Sequence, residues 1–177
     1  VPVLIIRLTM DEHGEPMCVT GRCDFLEHVL FATDFSDNAQ HAFGYVEHAV
    51  AHGAQRVTLL HVQDKTRISP HLEHQLDEFN RIDRQRLEQL KQRLERLAAT
   101  EVRIDIELPY GVAKAEILDR AAAGKSSLVV MGTHGRGFVR EMLLGSVSLS
   151  VARHAESPVL LVPQVRHGEV SRSTEAT

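Results

Sequence analysis

From His28 onward, short runs of consecutive apolar residues alternate with longer stretches in which apolar side chains recur every three or four positions. His28–Thr33 (HVLFAT) reads as a buried strand, ended by Asp34 and the polar Ser36, Asp37 and Asn38. Ser36 suits the N-cap of the helix that follows, where Ala39, Ala42, Phe43, Val46, Ala49 and Val50 share one face until Gly53 closes it. Arg56–Val62 is a second strand. Pro70 opens a long charged helix with Leu72, Leu76, Phe79, Leu87, Leu90, Leu94 and Leu97 on one side. Val102–Leu108 alternates with period two, the pattern of a half-exposed strand near a sheet edge. Pro109 and Gly111 turn the chain into a helix over 113–123, ended by Gly124. Ser127–Met131 forms a fourth strand, 132–145 a loop region, and a helix starts near Ser146 before a fifth strand, Pro158–Val162.

Strands that are continuous and apolar, each followed by an amphipathic helix, describe a parallel sheet covered on both faces. Crossover handedness then makes a doubly wound α/β domain the expected architecture. At 177 residues the chain fits one domain with an appendage, and 43% hydrophobic against 25% charged residues excludes wholesale disorder. A formal charge of −4 removes the electrostatic case for nucleic-acid binding, and no apolar run approaches the ~20 residues of a membrane span. Between Asp77 and Arg96 six basic and five acidic side chains intermingle, which marks a solvated helix face. With only Cys18 and Cys23 and no visible signal peptide, the expected setting is reducing and cytoplasmic.

Chemistry concentrates in the loop after the fourth strand. Gly132 and Gly135 follow its end, and Gly145-Ser146 opens a helix after nine further residues. Glycines let backbone N–H groups approach an anion closely, and a helix N-terminus adds unsatisfied donors and a favourable dipole. Ser146 and Ser148 bring hydroxyls and Arg136 a positive charge, so the stretch reads as a polyphosphate cradle. A P-loop is excluded, because Gly124-Lys125-Ser126 has Asp119 where the first glycine belongs and precedes a strand. The dinucleotide fingerprint fails because Arg140 stands where a glycine should follow Gly135 and Gly137.

The spacing Gly132, Gly135, Gly145, Ser146 resembles the ATP-binding branch of the universal stress protein family. Phe31–Ser36, Leu59–Val62 and Ser157–Val162 resemble that family's first, second and fifth strands, so the likeness covers His28 to Pro163. It implies a Rossmann-like, adenine nucleotide alpha hydrolase-like fold with a five-stranded parallel sheet of order 3-2-1-4-5. It also implies that Asp34 meets the ribose hydroxyls or a metal-linked water, and that Ala32, Thr33, Val62 and Met131 line the adenine pocket. Gly132, Gly135, Gly145, Ser146, Val147 and Ser148 would hold the phosphates. The implied ligand is ATP, or ADP or AMP, with Mg²⁺ or Mn²⁺ held mainly through the phosphates. The implied role is a nucleotide-dependent stress-response regulator; slow ATP hydrolysis and a dimerisation module without nucleotide are the alternatives. No Ser-His-Asp or paired-carboxylate arrangement is recognisable in the sequence.

The family resemblance also implies a homodimer through antiparallel pairing of the last strands, Pro158–Val162. Pro2–Ile6 repeats the Pro158–Val162 pattern, so residues 1–27 read either as the last strand and linker of a preceding tandem domain or as a hairpin, Val3–Leu8 against Met17–Thr20. Residues 28–163 form the nucleotide-binding domain and 164–177 a polar tail. His13, Cys18, Cys23 and His28 recur every five residues, a spacing foreign to compact structural zinc sites. His61 reads as a satisfied interior histidine, and His134 as a solvated or phosphate-facing side chain.

Overall fold

The structure, a computed structural model, describes residues 1–10, 13, 16–18, 24–64, 76–134 and 144–164. Its elements run β1 (Val3–Ile5), β2 (Leu8–Met10), β3 (Pro16–Cys18), β4 (Val29–Ala32), α1 (Asp37–Ala51), β5 (Arg56–Leu60), β6 (Gln63–Asp64) and α2 (Leu76–Leu97). They continue with β7 (Arg103–Glu107), β8 (Tyr110–Gly111), α3 (Ala113–Ala123), β9 (Leu128–Gly132), α4 (Ser146–His154) and β10 (Val159–Val162). The main sheet has the order β1-β10-β9-β4-β5-β7. Its five domain strands are parallel and reproduce the expected 3-2-1-4-5 order, but the sheet has six strands, because β1 joins β10 antiparallel. The period-two stretch, β7, lies at the other edge, as its alternation requires.

The strands separate two cores. Val29, Phe31, Val57, Leu59, Leu128 and Val130 pack with Phe43, Val46 and Val50 of α1 and with Leu87, Leu90 and Leu94 of α2. Leu30, Ala32, Leu60, Val129 and Met131 join Ile117 and Ala121 of α3 and Val151 of α4 in the second cluster. Successive side chains of one strand therefore enter opposite cores, which is why the runs are apolar without interruption. The leucine stripe of α2 is core over Leu87–Leu94, whereas Leu97 is 45% exposed. Pro70 and Leu72 lie outside the described residues.

His28 precedes β4 at the end of the sheet away from the glycine loop. Its Nδ1–H donates to the Gly124 carbonyl at 2.9 Å, so Nε2 accepts the Thr58 hydroxyl at 2.8 Å. These bonds commit it to the fold; Cys23 lies outside the described residues, and no group of three or more potential ligands could hold a metal among those described. Burial is the main cause holding the His28 pKa below its usual value. The unfolded chain then takes up this proton first, so stability is complete above about pH 6.5 and falls as pH drops towards the lower folded-state pKa. Urea unfolding at pH 7.5 and 5.5 should show this loss, and His28→Gln should reduce it.

The N-terminal segment both joins the main sheet and forms a small hairpin. β1 pairs with β10 in its own chain, Val3 opposite Leu161, Leu4 opposite Leu160 and Ile5 opposite Val159. The hairpin seen is displaced from the expected Val3–Leu8 against Met17–Thr20: Leu8–Met10 of β2 pairs Pro16–Cys18 of β3, because Val3–Ile5 is taken by β10. Because Pro2–Ile6 repeats Pro158–Val162, the β1/β10 ladder is centred on the equivalent residues Leu4 and Leu160 and exchanges their neighbours, as a two-fold axis would. Val3 and Leu4, on opposite faces of β1, remain 54% and 42% exposed.

Candidate functional site

Chain order reverses between β4 and β9. The chain runs outward through β5 and β7, then returns past β4 to β9 and β10. Ala32 is in register with Met131, so the C-terminal ends of the two central strands adjoin and their following loops diverge. Open α/β sheets bind ligands at this crevice. Thr33, Asp34, Gly132 and Thr133 come together here although about a hundred residues separate the pairs.

The β4 side is built by a tight polar turn. Asp34 Oδ1 accepts the Ser36 backbone N–H at 3.1 Å and its hydroxyl at 2.6 Å. Ser36 Oγ in turn accepts the Ala39 N–H at 3.2 Å, capping α1 as expected. Asp34 thus orients the cap residue rather than capping the helix itself. Between them Phe35 adopts φ +58°, a conformation that costs a non-glycine residue roughly 1–3 kcal/mol. Its N–H donates to Thr33 Oγ1 at 3.0 Å, and its ring packs 4.5 Å from the His61 ring with the Arg86 guanidinium 5.3 Å away. His61 is an interior residue, its Nδ1–H bonded to the Thr33 carbonyl at 2.7 Å and its Nε2 3.5 Å from Asp83. This histidine ties β4, β5 and α2 together beside the crevice.

The β9 side is organised by one carbonyl. Thr133 O accepts the Gly145 N–H at 2.8 Å and the Ser148 hydroxyl at 2.6 Å, pinning the start of α4 to the end of β9. The N-cap Gly145 gives α4 no side-chain cap, and Ser146 is exposed at its first position. The first-turn N–H groups of such a helix are orphaned donors, favourable to an anion. Ser148 is 3% exposed with its proton directed at Thr133, so its hydroxyl shapes the cradle from within. Gly145 has φ −67°, ordinary for any residue, so its value lies in the space it leaves.

Gly132 is required for a reason its sequence context does not reveal. A Cβ there would meet Asn38 Nδ2 at 2.8 Å and Cγ at 3.0 Å. Asn38, 5% exposed in the first turn of α1, donates through Nδ2 to the His134 carbonyl at 3.0 Å and lies 3.4 Å from Thr133 Oγ1. Its Oδ1 is buried without a hydrogen-bond partner among the described residues. Asn38 and Thr133 escaped the sequence reading; the polar run after Asp34 and the single residue after Gly132 were the available signals. Ala32 and Met131 are 7% and 6% exposed in the second core cluster, against which Val62, Leu144 and Val147 pack part-buried. Gly135 and Arg136 lie outside the described residues.

Fold and site together define a doubly wound α/β domain with an anion-receptive helix start at its topological switch point. The model of the universal stress protein family matches residues 26–163, and the chain belongs to that family. It is 29% identical to universal stress protein MJ0577 of Methanocaldococcus jannaschii over 150 residues, which cover 76% of this chain and 93% of that protein. A universal stress protein of Thermus aquaticus is 38% identical over 137 residues, covering 76% and 96%. The solved structure of MJ0577 superposes with a TM-score of 0.74 over 80% of this chain and 99% of that one, at 28% identity. A universal stress protein from Arabidopsis thaliana with AMP bound shares the fold, with a TM-score of 0.53 at 20% identity over 82% and 97% of the two chains. So does a universal stress protein in complex with cAMP, at 0.56 and 21% over 79% and 98%. No helix among the described residues is long and apolar enough to cross a membrane.

Proposed function

We propose that residues 28–163 bind an adenine nucleotide at the β4/β9 crevice and that occupancy regulates the assembly or partner contacts of a stress-response protein. The observation carrying this reading is the Thr133 carbonyl, which holds the side-chain-uncapped start of α4 beside the switch point. The surrounding residues fit the ligand: Ala32, Val62 and Met131 supply apolar surface for a base, and Thr33 and Asp34 a polar edge for the ribose. Gly132, Gly145, Ser146 and Val147 supply backbone donors and space for phosphates, joined by Gly135 and Arg136 from the loop sequence. ATP is the ligand assigned, with ADP and AMP meeting the same cradle. Mg²⁺ or Mn²⁺ would be held mainly by the phosphates, where it neutralises their charge.

Protein purified without added nucleotide, denatured and analysed by mass spectrometry, should release adenine nucleotide or, if empty, take up ATP with Mg²⁺ in calorimetry. Gly145→Ala brings a Cβ to 3.2 Å from Thr133 O and 3.4 Å from Ser148 Oγ, contacts that a shift of a few tenths of an ångström at the start of α4 relieves. It should change stability by less than about 1 kcal/mol, as volume changes that can relax do. ATP affinity should nevertheless fall at least tenfold. An empty protein that ignores millimolar ATP with Mg²⁺ overturns the reading.

The β1/β10 ladder supports a companion reading of assembly. β1 stands where the last strand of another domain of this fold would pair, which supports reading residues 1–27 as the end of such a domain and its linker, with β10 the edge that would pair with a second copy in the absence of β1.

A further inference from the structure

The far end of α1 carries an arrangement unrelated to nucleotide. His48 and His52 stand four positions apart, the spacing that places two histidines on one helix face in zinc-binding helices. Both are exposed, and their ring centroids lie 4.0 Å apart at 38°. A cation with metal–nitrogen bonds of about 2.0–2.1 Å needs its two ligand atoms roughly 3.3 Å apart, which asks the paired rings to turn their free nitrogens towards one point.

The hydrogen bonding of the pair favours the same use. His52 Nδ1–H donates to the His48 carbonyl at 2.8 Å, which fixes its tautomer and leaves Nε2 as the lone-pair nitrogen. Donation of the second ring N–H to a backbone carbonyl is how metal-ligating histidines are commonly oriented. His48 lies in the last turn of α1 and His52 is its C-cap, at the negative end of the helix dipole, where a cation is stabilised. Among the described residues no group of three or more potential ligands could hold a metal, so the two imidazoles are the ligands this helix end offers.

We infer that His48 and His52 form a two-histidine chelate for a borderline divalent cation of the Zn²⁺, Ni²⁺ or Cu²⁺ class, which imidazole suits better than Mg²⁺. Along α1 the pair lies about 17 Å or more from the crevice end at Asp37, so this metal is not the one that accompanies phosphates.

Calorimetric titration of the untagged full chain with Zn²⁺, and separately with Ni²⁺, tests the assignment. One saturable equivalent is expected to weaken at least tenfold in His48→Gln and equally in His52→Gln, and to persist in His41→Gln. The metal should also raise the melting temperature of the wild-type chain but of neither pair variant. Since both side chains are exposed, circular dichroism should show unchanged helicity in each. Absence of a saturable equivalent, its survival in either pair variant, or its loss in His41→Gln overturns the chelate.

Discussion

Gly132→Val should abolish the proposed ATP binding and lower the urea midpoint of the protein. The new Cβ lands 2.8 Å from Asn38 Nδ2, 3.0 Å from its Cγ and 3.3 Å from its backbone carbon. A flexible side chain in solvent would swing away, but Asn38 is 5% exposed and its amide is bonded to the His134 carbonyl. Either that bond breaks, or the first turn of α1 separates from β9 and opens the crevice. Overpacking of this kind costs about 1–3 kcal/mol, and a buried amide left without its acceptor adds to it. The double variant Gly132→Val/Asn38→Gly separates two causes. If Gly132 mainly makes room for Asn38, removing the amide restores both midpoint and ATP affinity. If the glycine mainly lets phosphate approach the backbone, stability recovers while binding does not. A Gly132→Val protein with unchanged midpoint and unchanged affinity overturns both.

Removing residues 1–7 should turn the chain into a dimer. In the intact molecule the β10 edge is covered by β1, whose ladder about Leu4 and Leu160 imitates a two-fold pairing of like strands. Without β1, β10 presents unpaired N–H and C=O groups and apolar side chains, a template for another strand. The closest available complement is β10 of a second molecule, antiparallel, with Leu160 opposite Leu160. Light scattering should report about twice the chain mass for the truncated protein at micromolar concentration, and the single mass for the intact one. Adding Leu160→Glu to the truncated chain should return it to monomer, because like charges directly opposite in a ladder repel. A truncated protein that stays folded and monomeric would refute the imitation.

Much of this molecule was legible before folding. The helices over 113–123 and from Ser146 begin and end where their signals stand, since Gly124 and Gly145 punctuate the chain locally. The continuous apolar runs at β4 and β9 announced strands buried on both faces, and the alternation over Arg103–Glu107 announced an edge. Less legible was the second strand, expected through Val62 but ending at Leu60, with Gln63–Asp64 pairing separately to Tyr110–Gly111. An apolar run does not show where the ladder beneath it stops. Gly132 was recognised as necessary, yet its neighbour Asn38 was not, because a polar residue in a helix first turn ordinarily signals capping or solvent. Asp34 likewise showed its carboxylate but not the turn with Phe35 at φ +58° that aims it.

What the amino-acid order determined alone is what depends on near neighbours: the period of apolar residues, the Ser36 cap, the glycine spacing and the repeat of Pro158–Val162 at Pro2–Ile6. Those features chose the layers, the family and the loop where chemistry concentrates. Only the tertiary structure decided that Asn38 lies against Gly132, that Thr133 rather than a side-chain cap holds the start of α4, and that β1 covers β10 within one chain. Each of these contacts joins residues far apart in sequence or turns on which of several available partners a polar group finds. Local propensity carries no record of such choices; close packing of the two cores makes them.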